Sequence, residues 1–310
     1  MRGLAIYTLP SHSQLMVEYI IITPAHNEEE FIERTIVAME AQTVRPLRWI
    51  IVNDASDDAT ADIVQDYCQR NKFMKLVNVA RPAGRHFGNK ALAFNRGLAE
   101  VHDENYGYIG NLDADICLGP NYYENILREL EKDPKLGIGG GIIFTRIGNE
   151  FVTCDKTLDS VAGAVQLFRR TCFDQIGGYP VLSQGGIDTA AEITARMKGW
   201  RVRKFPENRA FEYRRTGTAM VGPLTSRMKE GRHFHSLGYG ALFYFLRCVY
   251  RLRDRPVILG SVAGMTGYLG SMLRRQPIVL PPETVRYLRV EQREKLKRLL
   301  RLSSWTEAGT

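Results

Sequence analysis

The amino-acid sequence predicts an α/β protein whose mainly parallel, Rossmann-like sheet is flanked by helices. In the first 130 residues, short apolar runs alternate four times with segments of helical periodicity, and the connections between them are short. Such alternation is typical of a doubly wound parallel sheet. Three of the predicted strands also end in polar residues, and open parallel sheets bind ligands where their strands end.

The first two strand–helix units are the clearest. An uninterrupted apolar run at 18–24 predicts a buried strand that ends at Pro24. Residues 28–42 carry apolar side chains at helical spacing. A second apolar run at 48–54 ends on a carboxylate, and the Ser and Asp residues that follow it favour a helix cap before 58–70.

The remaining elements follow the same logic. Strands are predicted at 75–79 and 108–112, each followed by a helix, at 91–101 and 120–132. A glycine-containing turn at 81–90 joins the third strand to its helix. Beyond this half, strand patterns at 142–144, 165–170 and 201–205 surround a turn at 174–180 and a helix at 190–198 that Gly199 ends.

Two carboxylates, Asp113 and Asp115, follow the fourth predicted strand. If the extended geometry continues that far, their side chains point to the same side and converge on one hard cation or polar ligand. In an isolated Asp-Xaa-Asp, a helix-capping turn is the stronger interpretation. Two further polar strand ends, 25–28 and Asp54, fall on the same edge of a parallel sheet, and this clustering favours a binding site.

Several function classes are disfavoured by the sequence. No glycine-rich dinucleotide or P-loop motif follows the first strand, and no serine nucleophile elbow occurs. The histidines are not spaced as a zinc site, and the five cysteines form no Cys-x-x-Cys pair, as suits reduced cytosolic thiols. The first 16 residues lack the pattern of a signal peptide, so none is expected.

Positive charge is concentrated in the C-terminal third. Residues 201–310 hold 22 Lys and Arg against 8 Asp and Glu, whereas the preceding 200 residues are net acidic. Apolar runs at 236–250 and 257–273 are bordered by arginines, and 282–302 reads as a basic amphipathic helix. This pattern favours helices lying on an anionic membrane surface over a spanning hairpin or a soluble helical subdomain. No nucleic-acid-binding module is recognisable, so no nucleic acid is expected as a partner.

Several motifs in a fixed order resemble those of the inverting nucleotide-sugar glycosyltransferases of family 2, which have the GT-A fold. The resemblance extends from about residue 18 to 215. It rests on seven segments: 23–28, 52–60, 88–97, 113–115, 177–180, 186–189 and 199–200.

The resemblance implies a role for each matching residue. It implies that Asp113 and Asp115 hold the ribose and a divalent cation, Mn²⁺ or Mg²⁺, with Asp115 the stronger metal ligand, and that Asp188 is the general base. The residue before this base is usually Glu but is Ile187 here, which leaves Glu192 as an alternative base and a plain helix N-cap as an alternative role for Asp188. The residues implied to bind the nucleotide-sugar are Pro24, Ala25, Asn27, Glu28, Asp54 (the base), Lys90 (the diphosphate) and Asp113.

We therefore expect a lead-in at 1–16, a catalytic domain at 17–215 and a helical, membrane-associating region at 216–310. The catalytic domain divides into a nucleotide-binding half, 17–130, and an acceptor half, 131–215. The expected activity is inverting, metal-dependent transfer of a sugar from a nucleotide-sugar to a lipid-linked (polyprenyl-diphosphate) or other envelope glycan acceptor.

We expect the protein to be cytoplasmic and bound peripherally to the inner face of the membrane. The alternatives are an inactive nucleotide- or glycan-binding scaffold and a nucleotidylyltransferase, although the glycine-rich N-terminal loop of the latter is absent. Processive polymer synthesis is not expected, because 229–234 lacks the Gln-x-x-Arg-Trp signature.

Overall fold

The computed structural model describes most of the chain, namely residues 17–80, 88–153, 157–182, 185–214, 222–252 and 257–306. The predicted lead-in at 1–16, most of the predicted turn at 81–90 and the predicted boundary between residues 215 and 216 lie outside these ranges.

The N-terminal half forms four parallel strands in the order β3-β2-β1-β4. The large apolar side chains of the three inner strands, with Trp49 the largest, are fully buried between layers of helices, which explains the continuous apolar runs in their sequences, whereas the edge strand β3 is only partly buried. The elements are β1 (Tyr19–Ala25), α1 (Ile32–Glu40), β2 (Arg48–Asp54), α2 (Thr60–Arg70), β3 (Met74–Val79), α3 (Asn89–Ala99) and β4 (Tyr108–Asn111).

The second half extends the same sheet with mixed pairing. Here β8 lies antiparallel between β4 and β6, while β9 runs parallel to β6 and antiparallel to β5. The elements are β5 (Ile116–Leu118), α4 (Tyr122–Lys132), β6 (Leu136–Ile147), β7 (Glu150–Val152), β8 (Leu167–Arg169), α5 (Arg170–Ile176), α6 (Ile187–Met197) and β9 (Arg201–Glu212).

Three predictions in this half are corrected in detail. The predicted strand at 165–170 begins as a 3-10 turn, Gly163–Val165, and only Leu167–Arg169 pairs. The first part of the predicted turn at 174–180 belongs to helix α5, which ends at Gly177 in the left-handed region (φ 77°). Strand β9 runs on to Glu212, because it pairs with both β6 and β5.

The C-terminal region consists of four helices, α7 (Pro223–Ser236), α8 (Ala241–Tyr250), α9 (Leu259–Leu273) and α10 (Pro282–Thr306). Helices α7 and α9 approach closely through glycines. A Cβ on Gly231 would lie 1.9 Å from the carbonyl oxygen of Gly264, and one on Gly267 would lie 2.0 Å from that of Met228.

Helix α10 packs on the α/β part of the chain. Its Val285 and Leu288 belong to the main core, and Arg196 of α6 pairs with Glu291 at 2.8 Å. No helix in the described part of the chain is both long enough and apolar enough to cross a bilayer.

Candidate active site

The loops after β1 and β2 are joined by hydrogen bonds. The backbone N–H of Asn27 donates to Ser56 Oγ at 3.1 Å, and the N–H of Asp57 donates to Asn27 Oδ1 at 3.0 Å. Asn27 and Ala55 both adopt positive φ, at 57° and 52°, which is uncommon for residues other than glycine. The two loops therefore form one constrained surface at the carboxyl edge of the sheet.

The residues predicted to bind the nucleotide lie on this surface. Ala25 is buried at the end of β1, and Asp54 is buried at the end of the neighbouring β2. The backbone carbonyl of Asp54 accepts a hydrogen bond from His26 Nδ1 at 2.8 Å. Pro24 and Asn27 flank Ala25 and His26, so the predicted residues of both strands meet at one edge.

Glu28 is held by an arginine that the sequence analysis did not predict. Arg214, just beyond β9, places its Nη1 2.9 Å from Glu28 Oε1 and its Nη2 2.9 Å from Oε2. Nη2 also donates to the carbonyl of Asn27 at 3.1 Å. Burial raises the pKa of Glu28 to about 8, against the lowering effect of Arg214 and with a further rise from Asp115. The sequence gave no signal of this contact, because the predicted strand ended at residue 205 and only the full length of β9 brings Arg214 to Glu28.

Asp113 is engaged by two donors. Lys90, in the first turn of α3, donates to Asp113 Oδ1 at 2.5 Å, and Asn111 Nδ2 donates to the same oxygen at 2.8 Å. Burial alone would lower the pKa of Lys90, but Asp113, Asp188 and Asp115 together raise it. Lys90 is therefore a charged ammonium group facing three carboxylates.

The extended geometry predicted for Asp113 and Asp115 is wrong. Strand β4 ends at Asn111, and the chain turns at 114–115, where the N–H of Ile116 bonds to the carbonyl of Asp113 at 3.3 Å. The two carboxylates nevertheless influence each other, because a tight turn also keeps them close. Burial, followed by Asp113 and Glu212, raises the pKa of Asp115 to about 7.

Glu212 is a second residue that sequence reasoning missed. It ends β9, is buried, and accepts a hydrogen bond from Thr145 Oγ1 at 2.7 Å. Its carboxylate adds to the charge around Asp115. Only the full extent of β9, beyond the predicted 201–205, brings it to this edge of the sheet.

The donor set around Asp115 fits a hard divalent cation. Oxygen ligands are what Mg²⁺ and Mn²⁺ prefer. Burial and then the neighbouring carboxylates raise the pKa of Asp115 in spite of Arg214, so a bound cation would stabilise its ionised form. Among the described residues, no group of three or more His, Cys, Asp and Glu side chains is arranged to hold a metal. A cation here would therefore take its remaining ligands from a bound diphosphate and from water.

Asp188 lies in the first turn of α6, opposite Lys90. Its Oδ2 accepts a hydrogen bond from the N–H of Gly163 at 3.2 Å, and its Oδ1 accepts one from the N–H of Thr189 at 2.8 Å. A Cβ on Gly163 would lie 2.8 Å from that of Asp188, so only glycine fits there. The N-cap residue of α6 is Gly186, in the left-handed region at φ 79°, so the N-cap alternative for Asp188 is wrong.

The alternative base, Glu192, does not line the site. It is only 2% exposed, and its Oε1 accepts hydrogen bonds from the N–H of Val161 at 2.6 Å and from Gln166 Nε2 at 3.3 Å. These bonds anchor the segment before Gly163, so Glu192 supports the site from behind.

A histidine of the C-terminal region lies against the turn that carries Asp188. The imidazole of His233, on α7, packs against Gly186, and the charge of Asp188 acts on it. The spacing of the histidines in the sequence gave no indication of this contact. A single histidine on a helix distant in sequence gives no local signal of such a contact.

One cavity of about 490 Å³ brings three of the predicted residues together. Lys90 and Asp113 line it from the part of the chain before residue 131, and Asp188 lines it from the part after that residue. The other predicted residues, which are Pro24, Ala25, Asn27, Glu28, Asp54 and Asp115, are not among those that line it. Its other lining residues are Ile143, Thr145, Ala162, Gly163, Ala164, Tyr179, Gly185, Gly186, Ile187 and Glu212.

The sheet, with its carboxylate-rich edge, has the GT-A fold, which two solved structures share. The mannosyltransferase PcManGT from Pyrobaculum calidifontis, in complex with GDP-Man and Mn²⁺, has a TM-score of 0.55 at 16% identity, covering 94% of this chain and 83% of that one. TarS from S. aureus in complex with UDP-GlcNAc has a TM-score of 0.53 at 14% identity, covering 83% and 73%.

The sequence profile of Glycosyl transferase family 2 matches residues 20–176, just over half of the 310-residue chain. The protein therefore belongs to Glycosyl transferase family 2. The predicted family and fold class are confirmed.

Two curated relatives are similar at lower coverage. The probable glycosyltransferase YdaM of Bacillus subtilis (strain 168) is 26% identical over 250 residues, 73% of this chain and 58% of the relative. The poly-beta-1,6-N-acetyl-D-glucosamine synthase of Staphylococcus epidermidis is 27% identical over 173 residues, 49% and 39% respectively. The chain thus spans less than two thirds of the length of these relatives.

Proposed function

We propose that this glycosyltransferase moves a sugar, with inversion, from a nucleotide-sugar to a hydroxyl of a lipid-linked or other envelope glycan. The observation that carries the proposal is the convergence of Asp188, Lys90 and Asp113 on one cavity, with Asp115 beside them. The nucleotide-sugars bound to the two structural neighbours support the donor class, and the polysaccharide synthase relative supports a glycan acceptor.

Each group at the strand edge then has a role in donor binding. Asp54 would bond the base, and Pro24, Ala25, Asn27 and Glu28 would line the nucleotide pocket. Asp115 and Asp113 would hold Mn²⁺ or Mg²⁺, which supplies Lewis-acid stabilisation of the leaving diphosphate when bound.

The transfer step needs one base and one stabilised leaving group. Asp188 takes the proton of the acceptor hydroxyl, and the freed oxygen bonds to the anomeric carbon of the donor. The bond from that carbon to the diphosphate oxygen breaks on the opposite side, so the configuration inverts and the electron pair leaves with the nucleoside diphosphate. Lys90 offsets the developing charge at the near side of the cavity.

We propose that the enzyme acts at a membrane surface. Helices α8 and α9 each expose an apolar stripe at helical spacing, and neither stripe is covered by any described residue. The stripes are Leu242, Phe245, Leu246 and Val249 on α8, and Leu259, Val262, Leu269 and Leu273 on α9. With the excess of Lys and Arg in 201–310, they suit an anionic leaflet that presents a polyprenyl-diphosphate acceptor.

The decisive experiment is a panel of nucleotide-sugars assayed for Mn²⁺-dependent nucleotide release. We expect one donor class to be consumed, Asp188→Asn to lose roughly 10²- to 10⁴-fold in kcat, and nucleotide binding to that variant to be retained. Asp66→Asn is the matched control, an exposed carboxylate on α2 outside the cavity, and should retain the activity. Nucleotide binding with no turnover of any donor would instead favour the inactive scaffold.

A further inference from the structure

We propose that His233, from the C-terminal helical region, is a positioning residue that holds the Asp188-bearing turn of α6 in its working geometry. The proposal rests on the proposed role of Asp188 as the base. It makes α7 part of the active site as well as part of the region that faces the membrane.

The contact between the two elements is unusually close. A Cβ on Gly186 would lie 1.6 Å from Cε1 of His233, 2.4 Å from its Nε2 and 2.8 Å from its Nδ1. Gly186 is the N-cap of α6 and adopts φ 79°, so glycine is required there both by the backbone and by the ring. Asp188 lies two residues further on, so displacement of this turn displaces the carboxylate.

Two carboxylates act electrostatically on the ring. They are Asp188 of α6 and Glu230, one turn earlier on α7, and both favour the protonated imidazole. Burial lowers the pKa of His233 in spite of both, so the imidazole is neutral at neutral pH. Its buried Nδ1 has no hydrogen-bond partner within the described part of the chain.

Helix α7 is itself firmly supported. Gly231 packs against α9 at backbone distance, and Glu230 is bound by Arg227 at 3.0 Å and by Arg251 at 2.5 Å. A side chain on such a rigid helix can hold a neighbouring loop in one position, even though the loop has no regular structure of its own.

The same helix provides a matched control in His235. It too is buried, has a lowered pKa because of burial, and leaves its Nδ1 without a described partner. Its ring, however, faces Tyr268 of α9 at 5.5 Å between centroids, away from the cavity.

The first test needs no substrate. Histidine Cε1 resonances of the full-length protein, assigned with His233→Asn and His235→Asn, would be titrated by NMR in wild type and in Asp188→Asn. Removing the charge of Asp188 should lower the pKa of His233 and leave that of His235 unchanged. An unmoved His233 would overturn the proposal.

The second test uses the donor identified in the panel. His233→Ala should lower kcat by about ten- to a hundredfold, since a misplacement near 1 Å costs on that order, while the donor KM stays within about twofold. His233→Asn, which keeps a planar polar group, should recover most of the loss, and His235→Asn should keep wild-type kcat. Equal losses of kcat in the His233 and His235 variants would refute the positioning role. A rise in donor KM as large as the loss of kcat would refute it too. If no donor reacts, the proposed function fails, but the NMR titration still decides the contact.

Discussion

At the scale of single residues, the site is an excess of carboxylates held at one edge of the sheet. Glu28 and Asp115 are partly buried with pKa values raised to about 8 and about 7, and Lys90 and Arg214 are the cations nearest to them. Structural carboxylates usually find enough positive charge to lower their pKa values. Carboxylates that remain short of it are typical of sites that bind a cation or a proton in function.

The charge of Asp115 should cost stability at high pH. Because the folded state binds the Asp115 proton more tightly than the unfolded chain does, this cost is absent below about pH 4 and complete above about pH 7. Asp115→Asn should therefore raise the free energy of unfolding by roughly 1–3 kcal/mol at pH 8 and hardly at all at pH 4. The free energies of unfolding of both proteins would be measured by urea denaturation without divalent cations.

The control for this prediction is Asp66→Asn, an exposed carboxylate on α2. Added Mn²⁺ should stabilise the wild type at pH 8 more than Asp115→Asn. Equal stabilisation of both proteins would argue against Asp115 as a metal ligand.

The pair formed by Arg214 and Glu28 offers a separate test. At about pH 9 and above, where Glu28 with its raised pKa is ionised, Arg214→Ala leaves this carboxylate, which is 14% exposed, without its cation and should destabilise the protein by roughly 1–3 kcal/mol. Adding Glu28→Gln should restore part of the loss, because the uncompensated charge is then removed. Thermal unfolding of both single variants and the double variant completes the cycle, and strictly additive losses would contradict the pairing.

At the scale of elements, the sequence predicts most accurately the strands whose pattern depends on residues close together in the chain. Strands β1 to β4 are found within one or two residues of their predicted positions, and for β1, β2 and β4 the reason is that continuous burial on both faces leaves continuous apolar runs. The cap of α6 and the turn at 114–115 were misjudged, since both depend on backbone conformations that neighbouring elements impose. The contacts of Arg214, Glu212 and His233 join segments far apart in sequence, which periodicity and motif spacing do not encode.

The packing of α7 on α9 should depend on the two glycines at their contact, Gly231 of α7 and Gly267 of α9. Gly267→Ala places a methyl group 2.0 Å from the backbone carbonyl of Met228 and should destabilise the protein by roughly 1–3 kcal/mol. Gly270→Ala, on the same helix, meets no atom within 4 Å and should be neutral or stabilising by up to about 1 kcal/mol. Denaturant unfolding of the two variants compares the same chemical change with and without a neighbour, and similar effects would contradict close helix packing.

At the scale of the whole molecule, charge and exposed apolar surface occur together. The catalytic half is net acidic, while residues 201–310 carry the positive charge and the two uncovered stripes of α8 and α9. His233 connects this region to the catalytic cavity, and α10 packs on the catalytic core. A membrane-facing region built into the catalytic unit would hold the cavity at a fixed distance from a lipid-linked acceptor.

Membrane docking should therefore need both the charge and the stripes. The wild-type protein should float with vesicles rich in phosphatidylglycerol and should be released as ionic strength rises, because exposed charges are screened. Replacing Leu242, Phe245 and Leu259 together by Ser should abolish flotation, since each is more than half exposed and contributes apolar area to the interface. Replacing Val37 and Leu158, which are exposed to a similar degree on the catalytic domain, should leave flotation unchanged. Equal flotation of the stripe variant and the wild type would mean that the lysines and arginines alone hold the protein at the surface, and the stripes would then need another partner.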